Sequence, residues 1–384
     1  MILGLIYCRL LIQQFWRMAV IFQIFKQLSA RLSFFQYIHV IFIIFQKLYK
    51  HETWSNSQHF YNHDSLGPAA RNIRNLVHAG KADSTNKKYD NYFVKFRKWC
   101  EAHSLSYLPA LPTTICLYIS SLVMQHVSVS VLEAAFYSVK HFHVISLHNN
   151  PCDDKLAILC LEGSKRILSK PVQKKQPITV VMLQKLVDRY GSDKADLADL
   201  RICTMCLLGF SGFFRYSELS NITMADLKFF DSYVEVNISK SKTDIYRRGN
   251  KVVIAKTGNR LCPVSFLLRY IKSASLSLNS GEYLFTAVQY LKKQKIYKLC
   301  NRFKPLSYTR AREIFLDTLD VLGYDKSQFC LHSLRSGGVS AAAKNNVSDR
   351  LLRAHGRWVT DKSKDGYIQD DLYNRLLVSR NLDL

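Results

Sequence analysis

From about residue 72 to residue 170, apolar positions recur at helical spacing. A helix capped by Ser84 or Thr85 runs to about His103, with Tyr89, Tyr92, Phe93, Phe96, Trp99 and Cys100 along one face. Lys87, Lys88, Lys95, Arg97 and Lys98 fill the rest of its surface. Three further helices are expected at 112–125, 129–146 and 153–168, and four short helices without a strand signal make a small all-α unit. Residues 170–177 hold two prolines and three lysines with no apolar period, which marks a linker. Helices at 180–190 and 194–208 follow. The period then changes to two: Tyr-Val-Glu-Val-Asn-Ile at 233–238 reads as a strand, with 251–255 as its partner. The helical pattern returns from 263 to the end, broken by a short apolar run at 283–285. No internal repeat is detected.

The first fifty residues contain no Asp or Glu and are rich in Ile, Phe, Leu and Gln. Their longest uncharged run is residues 32–46, shorter than the roughly 18 residues of a membrane span. Three readings stand side by side: a poorly structured leader, an interfacial or targeting helix, and a membrane anchor. The first is preferred, so membrane contact is not expected.

Composition narrows the class. The chain has 384 residues, 48% hydrophobic and 22% charged, so it is no disordered tail and can hold two or three domains. It carries 54 Lys plus Arg against 29 Asp plus Glu, a net charge of +25. That excess predicts a polyanionic partner, nucleic acid before an acidic membrane surface. Residues 1–64 contribute +4, residues 65–170 +6 and residues 171–384 +15. The ten cysteines are scattered through apolar segments, and the one C-x-x-C, Cys203 and Cys206, lies inside an apolar helix. Reduced, buried thiols in an intracellular protein are expected, with no metal site and no use for the sequons at Asn221, Asn237 and Asn346.

Five segments carry candidate chemistry. They are Gly-Phe-Phe-Arg-Tyr-Ser-Glu-Leu at 212–219, Lys-Ser-Lys-Thr at 240–243, Leu-His-Ser-Leu-Arg-Ser-Gly-Gly at 331–338, His-Gly-Arg-Trp at 355–358, and Asp-Gly-Tyr-Ile at 365–368. Each alone has an ordinary structural explanation: a solvated cap, a solvent-facing hairpin lysine, a polar cluster on a helix face. Together, their order resembles that of the tyrosine recombinases, or phage integrases, over about residues 81–371. Arg215 and Glu218 fit the family's first box, Lys242 its hairpin lysine, and His332 and Arg335 its H-x-x-R. Trp358 and Tyr367 stand nine apart, as the family requires. The wording around Arg335 and Trp358 looks most like eukaryotic mobile-element recombinases of the DIRS and crypton kind.

The resemblance implies a mainly α fold with a small β-sheet (α+β), a helical core-binding domain plus a tyrosine-recombinase catalytic domain. The domains would be a leader at 1–64, the core-binding domain at 65–170, a linker at 171–177 and the catalytic domain at 178–384. It implies site-specific cleavage and rejoining of DNA through a 3′-phosphotyrosine on Tyr367. Arg215 and Arg335 would clamp the nonbridging phosphate oxygens, Lys242 protonate the leaving 5′ oxygen, His332 assist proton transfer, and Trp358 donate its indole N–H to phosphate. Glu218 would orient the Arg215 region. No metal and no cofactor are implied. The partners would be double-stranded DNA and other copies of the chain, four to an assembly, clamping the duplex between the two domains. The setting is intracellular, with the nucleus expected.

The sequence departs from the family's commoner form in two places. Ser336-Gly337-Gly338 replaces a His-Thr or His-Ser, and Trp358 replaces a His. His355 is expected to be structural, and Lys242 is preferred over Lys240 as the acid. For backbone contact, Lys87, Lys88, Lys95, Lys98, Lys240, Arg247, Arg248, Lys292, Lys293, Lys295 and Arg310 are the candidates; the run 292–312 has eight basic residues and no acid. Two other readings remain: a domesticated DNA-binding protein that no longer cleaves, and a type IB topoisomerase using similar chemistry.

Overall fold

The computed structural model describes residues 64–171, 173–239, 249–370 and 372–382. Residues 1–63 of the leader lie outside them, as do Lys240, Lys242, Arg247 and Arg248. The chain divides into two compact units between residues 172 and 173.

In the described part of the first unit there are five helices: α1 (Gly67–Ala79), α2 (Asp83–Ala102), α3 (Pro112–Met124), α4 (Val129–Ile145) and α5 (Lys155–Leu168). Four were expected; α1 is the addition. Neither Ser84 nor Thr85 caps α2, which starts at Asp83 behind an extended Ala82 with no side-chain cap. The Asp83 carboxylate in the first turn complements the helix dipole instead. Ser128 and Asp154 do cap α4 and α5. Phe93, Phe96 and Cys100 are buried, with Tyr89, Tyr92 and Trp99 packed on the same core. Phe93 stacks on Phe142 at 4.1 Å between centroids, joining α2 to α4. Lys87, Lys88, Lys95 and Lys98 are exposed.

The second unit begins with α6 (Val180–Tyr190), capped by the Thr179 hydroxyl. Next comes α7 (Leu197–Ser211), three residues later than expected because the Asp196 carboxylate takes the Asp199 N–H at 2.9 Å and starts the helix there. Leu200, Ile202, Cys203, Met205, Cys206 and Leu208 are all buried, as are Arg201 and Thr204, so α7 is buried on nearly all sides and forms the centre of the unit. The short α8 (Tyr216–Leu219) leads into an antiparallel sheet of β1 (Leu227–Phe229), β2 (Tyr233–Ile238) and β3 (Asn250–Ala255). Val236 faces Leu227 on one side and Val252 on the other, and Val234, Val236 and Ile238 are buried.

After α9 (Pro263–Ala274), the expected all-helical pattern fails. A second antiparallel hairpin, β4 (Val288–Leu291) and β5 (Ile296–Leu299), occupies part of it. Most of its side chains face solvent, so no buried–exposed alternation marked it in the sequence. The apolar run at 283–285 supplies buried Leu284 and Phe285, with one bridge from Tyr283 to Thr223 rather than a strand. The unit closes with α10 (Tyr308–Val321), α11 (His332–Lys344), α12 (Asp349–Gly356), α13 (Asp361–Asp365) and α14 (Leu372–Arg380). The described cysteines are free thiols. No helix among the described residues is long and apolar enough to cross a membrane.

Candidate active site

Arg215 stands at the turn between α7 and α8, where Gly212 and Phe213 reverse the chain. Its backbone N–H donates to Glu218 Oε2 at 2.9 Å, and its guanidinium donates to Oε1 at 2.7 Å. Glu218 is 1% exposed, so this carboxylate is deep in the protein. It is also shared. Arg357 donates to Oε2 at 2.7 Å, and Arg335 lies 3.6 Å from the same oxygen. Burial raises the Glu218 pKa, but Arg357, the Arg215 N–H, Arg335 and Arg215 outweigh it and hold the carboxyl below the usual range. Three guanidiniums thus share one carboxylate, and the cluster keeps two positive charges in excess.

Arg335 and His332 come from the first turns of α11. The Arg335 side chain is completely buried, donating to the carbonyls of Phe213 and, at 2.6 Å, of Gly356. Its Nε is buried without a hydrogen-bond partner among the described residues. Burial and then the Arg215 charge push its pKa down, against the pull of Glu218.

The two glycines after Ser336 explain how α11 comes so close. A Cβ at Gly337 would lie 2.1 Å from the Ile178 carbonyl oxygen, and one at Gly338 would lie 2.0 Å from that of Phe210. The departure from the family's commoner wording is therefore a packing requirement of this chain.

Two aromatic rings cover the Arg335 guanidinium. Trp358 lies 4.4 Å and Tyr367 5.1 Å from its carbon, centroid to Cζ. The two rings are 5.5 Å apart, and the exposed His332 ring lies near-parallel to Tyr367 at 6.0 Å. Trp358 Nε1 is buried with no partner among the described residues. Arg215, His332, Arg335, Trp358 and Tyr367 are thus brought to one place from four separate segments. Lys242, preferred from the sequence as the sixth member, lies outside the described residues, as does its competitor Lys240.

Arg357 was missed by sequence reasoning as a site residue. It ends α12 with φ 58°, a left-handed conformation unusual for Arg. Packing is tight at this turn: a Cβ at Gly356 would lie 1.7 Å from the Trp358 ring. Beyond Glu218, Arg357 donates to the carbonyls of Gly212 at 3.1 Å, His355 at 2.8 Å and Phe213 at 3.0 Å. It ties the Trp358 segment to the Arg215 turn. No periodicity or spacing marks such a residue; only its place in the quoted His-Gly-Arg-Trp did.

His355 packs edge-on against Phe213, and its Nε2 hydrogen-bonds the Ser211 carbonyl at 2.8 Å. Burial, partly offset by that bond, lowers its pKa. Tyr367 follows α13, whose Lys364 is 3% exposed and pairs with Asp349 and, at 3.1 Å, with Asp365. Of the backbone candidates in this unit, Lys292, Lys293 and Lys295 are exposed on the β4–β5 turn, and Arg310 is exposed but pairs with Glu313 at 3.2 Å. Tyr290 and Tyr297 face each other across that hairpin, 4.9 Å apart.

No family model matches the chain. It is 27% identical over 306 residues to an integrase/recombinase XerD homologue of Selenomonas ruminantium, covering 77% of this chain and 86% of that protein. Among solved structures, the XerH site-specific recombinase bound to palindromic difH substrate, post-cleavage, superposes with a TM-score of 0.52 at 11% identity, covering 77% of each chain. The Tn1549 transposon integrase with transposon right end DNA superposes with a TM-score of 0.54 at 15% identity, over 81% of this chain and 97% of that one. At these identities the structural likenesses speak to the fold, which they match in its mainly helical plan with small sheets.

Proposed function

We propose that this chain, a tyrosine recombinase by sequence kinship and fold, cleaves and rejoins double-stranded DNA at specific sites through Tyr367. The observation that carries the reading is a phenol 5.1 Å from a buried guanidinium, in a cluster of three arginines and one carboxylate. A cluster with excess positive charge beside a nucleophile suits a phosphodiester. The relatives' names, integrase and recombinase, point the same way.

The chemistry follows from side-chain properties. Tyr367 Oη attacks phosphorus, the P–O5′ bond breaks, and a 3′-phosphotyrosine forms with release of a 5′ hydroxyl. A phenol, with an ordinary pKa of about 10, is a weak nucleophile at neutral pH. His332, its ring beside that of Tyr367, assists removal of the phenolic proton. Charge grows on the nonbridging oxygens during attack, and Arg215 and Arg335 stabilise it, each such preorganised donor being worth ~10²–10³ in rate. Trp358 Nε1 supplies a further N–H. The leaving 5′ oxygen takes its proton from Lys242. A 5′ hydroxyl from another strand then attacks the phosphotyrosine, restores the phosphodiester and frees Tyr367, which exchanges strands. These steps use side chains alone.

The lysines of α2 and of the β4–β5 turn would hold the backbone without reading sequence. Several copies of the chain would act together on paired sites, four being the family's number. A recombinase works where DNA is, inside the cell, and this chain would enter the nucleus, which imaging a tagged chain checks. The decisive test is trapping on nicked duplexes drawn from a wide pool of sequences. Wild type should form a covalent adduct, and Tyr367→Phe should form none. Arg215→Ala should cut adduct formation by roughly a hundredfold or more while duplex binding persists. A salt-sensitive gel shift without any wild-type adduct would favour the non-cleaving DNA-binding protein, and supercoil relaxation without synapsis the topoisomerase.

A further inference from the structure

Tyr367 sits on a short link between two short helices. The five-residue α13 ends at Asp365, and α14 begins at Leu372. One turn of helix has little stability of its own, so the aim of the phenol depends on what holds this link from outside. Upstream, buried Lys364 pins α13 to Asp349 of α12. Downstream, the tie is Ser340.

Ser340 is half-buried on α11, the helix that also carries His332 and Arg335. The Gln369 N–H donates to Ser340 Oγ at 2.9 Å, and that hydroxyl donates to the Tyr367 carbonyl at a longer 3.5 Å. One side chain thus serves the backbone on both sides of Ile368. The Gln369 side chain makes a second tie, donating to the Lys175 carbonyl at 3.1 Å. Residues 176–178 are in turn fixed near the start of α11, since Gln176 N–H donates to Gln328 O at 2.8 Å and Ile178 N–H to Ser333 O at 2.9 Å.

We infer that Ser340, seconded by Gln369, is a positioning residue for the nucleophile. It rests on the reading of Tyr367 as the attacking group. One helix then carries the phosphate clamp, the neighbouring imidazole and the anchor of the tyrosine backbone. The Tyr367 backbone is thereby tied directly to the helix that carries Arg335, rather than through a chain of loops. In-line attack is intolerant of small errors, a displacement of about 1 Å costing up to ~10² in rate.

The test is single-turnover adduct formation by the full chain, with duplex binding and thermal unfolding measured beside it. Ser340→Ala should form adduct ~10- to 100-fold more slowly, with duplex Kd and unfolding midpoint close to wild type. Ser340→Thr, which keeps the hydroxyl, should recover most of the rate, and Gln369→Ala should show a smaller defect of the same kind. A duplex with a 5′-bridging phosphorothiolate separates the two halves of the reaction, because a thiolate leaves without an acid. On it, Lys242→Ala should recover and Ser340→Ala should stay slow. A wild-type rate in Ser340→Ala, or its recovery on the phosphorothiolate, overturns the inference. Should Ser340→Ala unfold, Ser340→Cys, which keeps the shape and weakens both hydrogen bonds, decides instead, and a wild-type rate there overturns the inference equally. Adduct in wild type but not in Tyr367→Phe, with Ser340→Ala unimpaired, sinks this inference alone. A wild type that forms no adduct sinks the nucleophile reading and takes this inference with it.

Discussion

Glu218 shows how unequal single residues are in this protein. Its carboxylate is shared by Arg215, Arg335 and Arg357, two of which are almost wholly buried. Glu218→Gln removes the counter-charge of all three and should destabilise the second unit by about 3–5 kcal/mol. Arg357→Met should cost less, because Glu218 keeps two partners; chemical denaturation of both variants gives the order. The pH response has a sign. The folded-state pKa values of Glu218 and His355 are both depressed. Both make stability fall on acidification, for different physical reasons. Glu218 is stabilised in its charged form, so its contribution is complete above the unfolded value of about 4.3 and is lost as pH falls through the lower folded value. His355 is held neutral, so folding opposes its protonation, and stability falls as pH drops below the unfolded value of about 6.5. The thermal unfolding midpoint should therefore fall on acidification below about pH 6.5, and again below about pH 4.3, with the first step missing in His355→Asn.

At the scale of elements, α11 is the organising piece. It reaches the site because Gly337 and Gly338 let its backbone touch two carbonyl oxygens. Gly338→Ala should strain that approach by roughly 1–3 kcal/mol or more and slow adduct formation, since Arg335 would move with the helix; calorimetry and single-turnover trapping read the two effects. The helices over 112–124, 129–145 and 180–190 were legible because apolar spacing and helix-start signals agreed. The β4–β5 hairpin was not, since its largely exposed side chains leave no binary pattern. The Asp83 start of α2 was obscured for a different reason. Only the terminal hydrogen-bond geometry decides whether the cap is Ala82, Ser84 or Thr85.

Across the whole molecule, the charge of +25 acts as a field rather than as a set of pairings. Lys87, Lys88, Lys95 and Lys98 of α2 and Lys292, Lys293 and Lys295 of the β4–β5 turn are exposed, and they are the part of that charge proposed to meet a duplex. Replacing Lys292, Lys293 and Lys295 by Ala should weaken binding to all duplexes alike. Each phosphate that is no longer neutralised should reduce the steepness of log K against log salt by about 0.9. Titrations at several salt concentrations on unrelated sequences measure both, and an unchanged slope would remove this turn from the interface.

The sequence alone determined the order and spacing of Arg215, His332, Arg335, Trp358 and Tyr367, and the helical character that surrounds them. Helical period, turn residues and motif spacing are local properties, so one dimension suffices to express them. Only the tertiary structure decided that Glu218 is shared, that Arg357 belongs with it, and that Ser340 holds the tyrosine backbone. Apart from the local Arg215–Glu218 pair, those contacts join residues from 27 positions apart, Ser340 with Tyr367, to 139 apart, Glu218 with Arg357, and they exist because packing brings distant chain segments within reach. A sequence records which groups are present; burial and distance decide which of them share a charge.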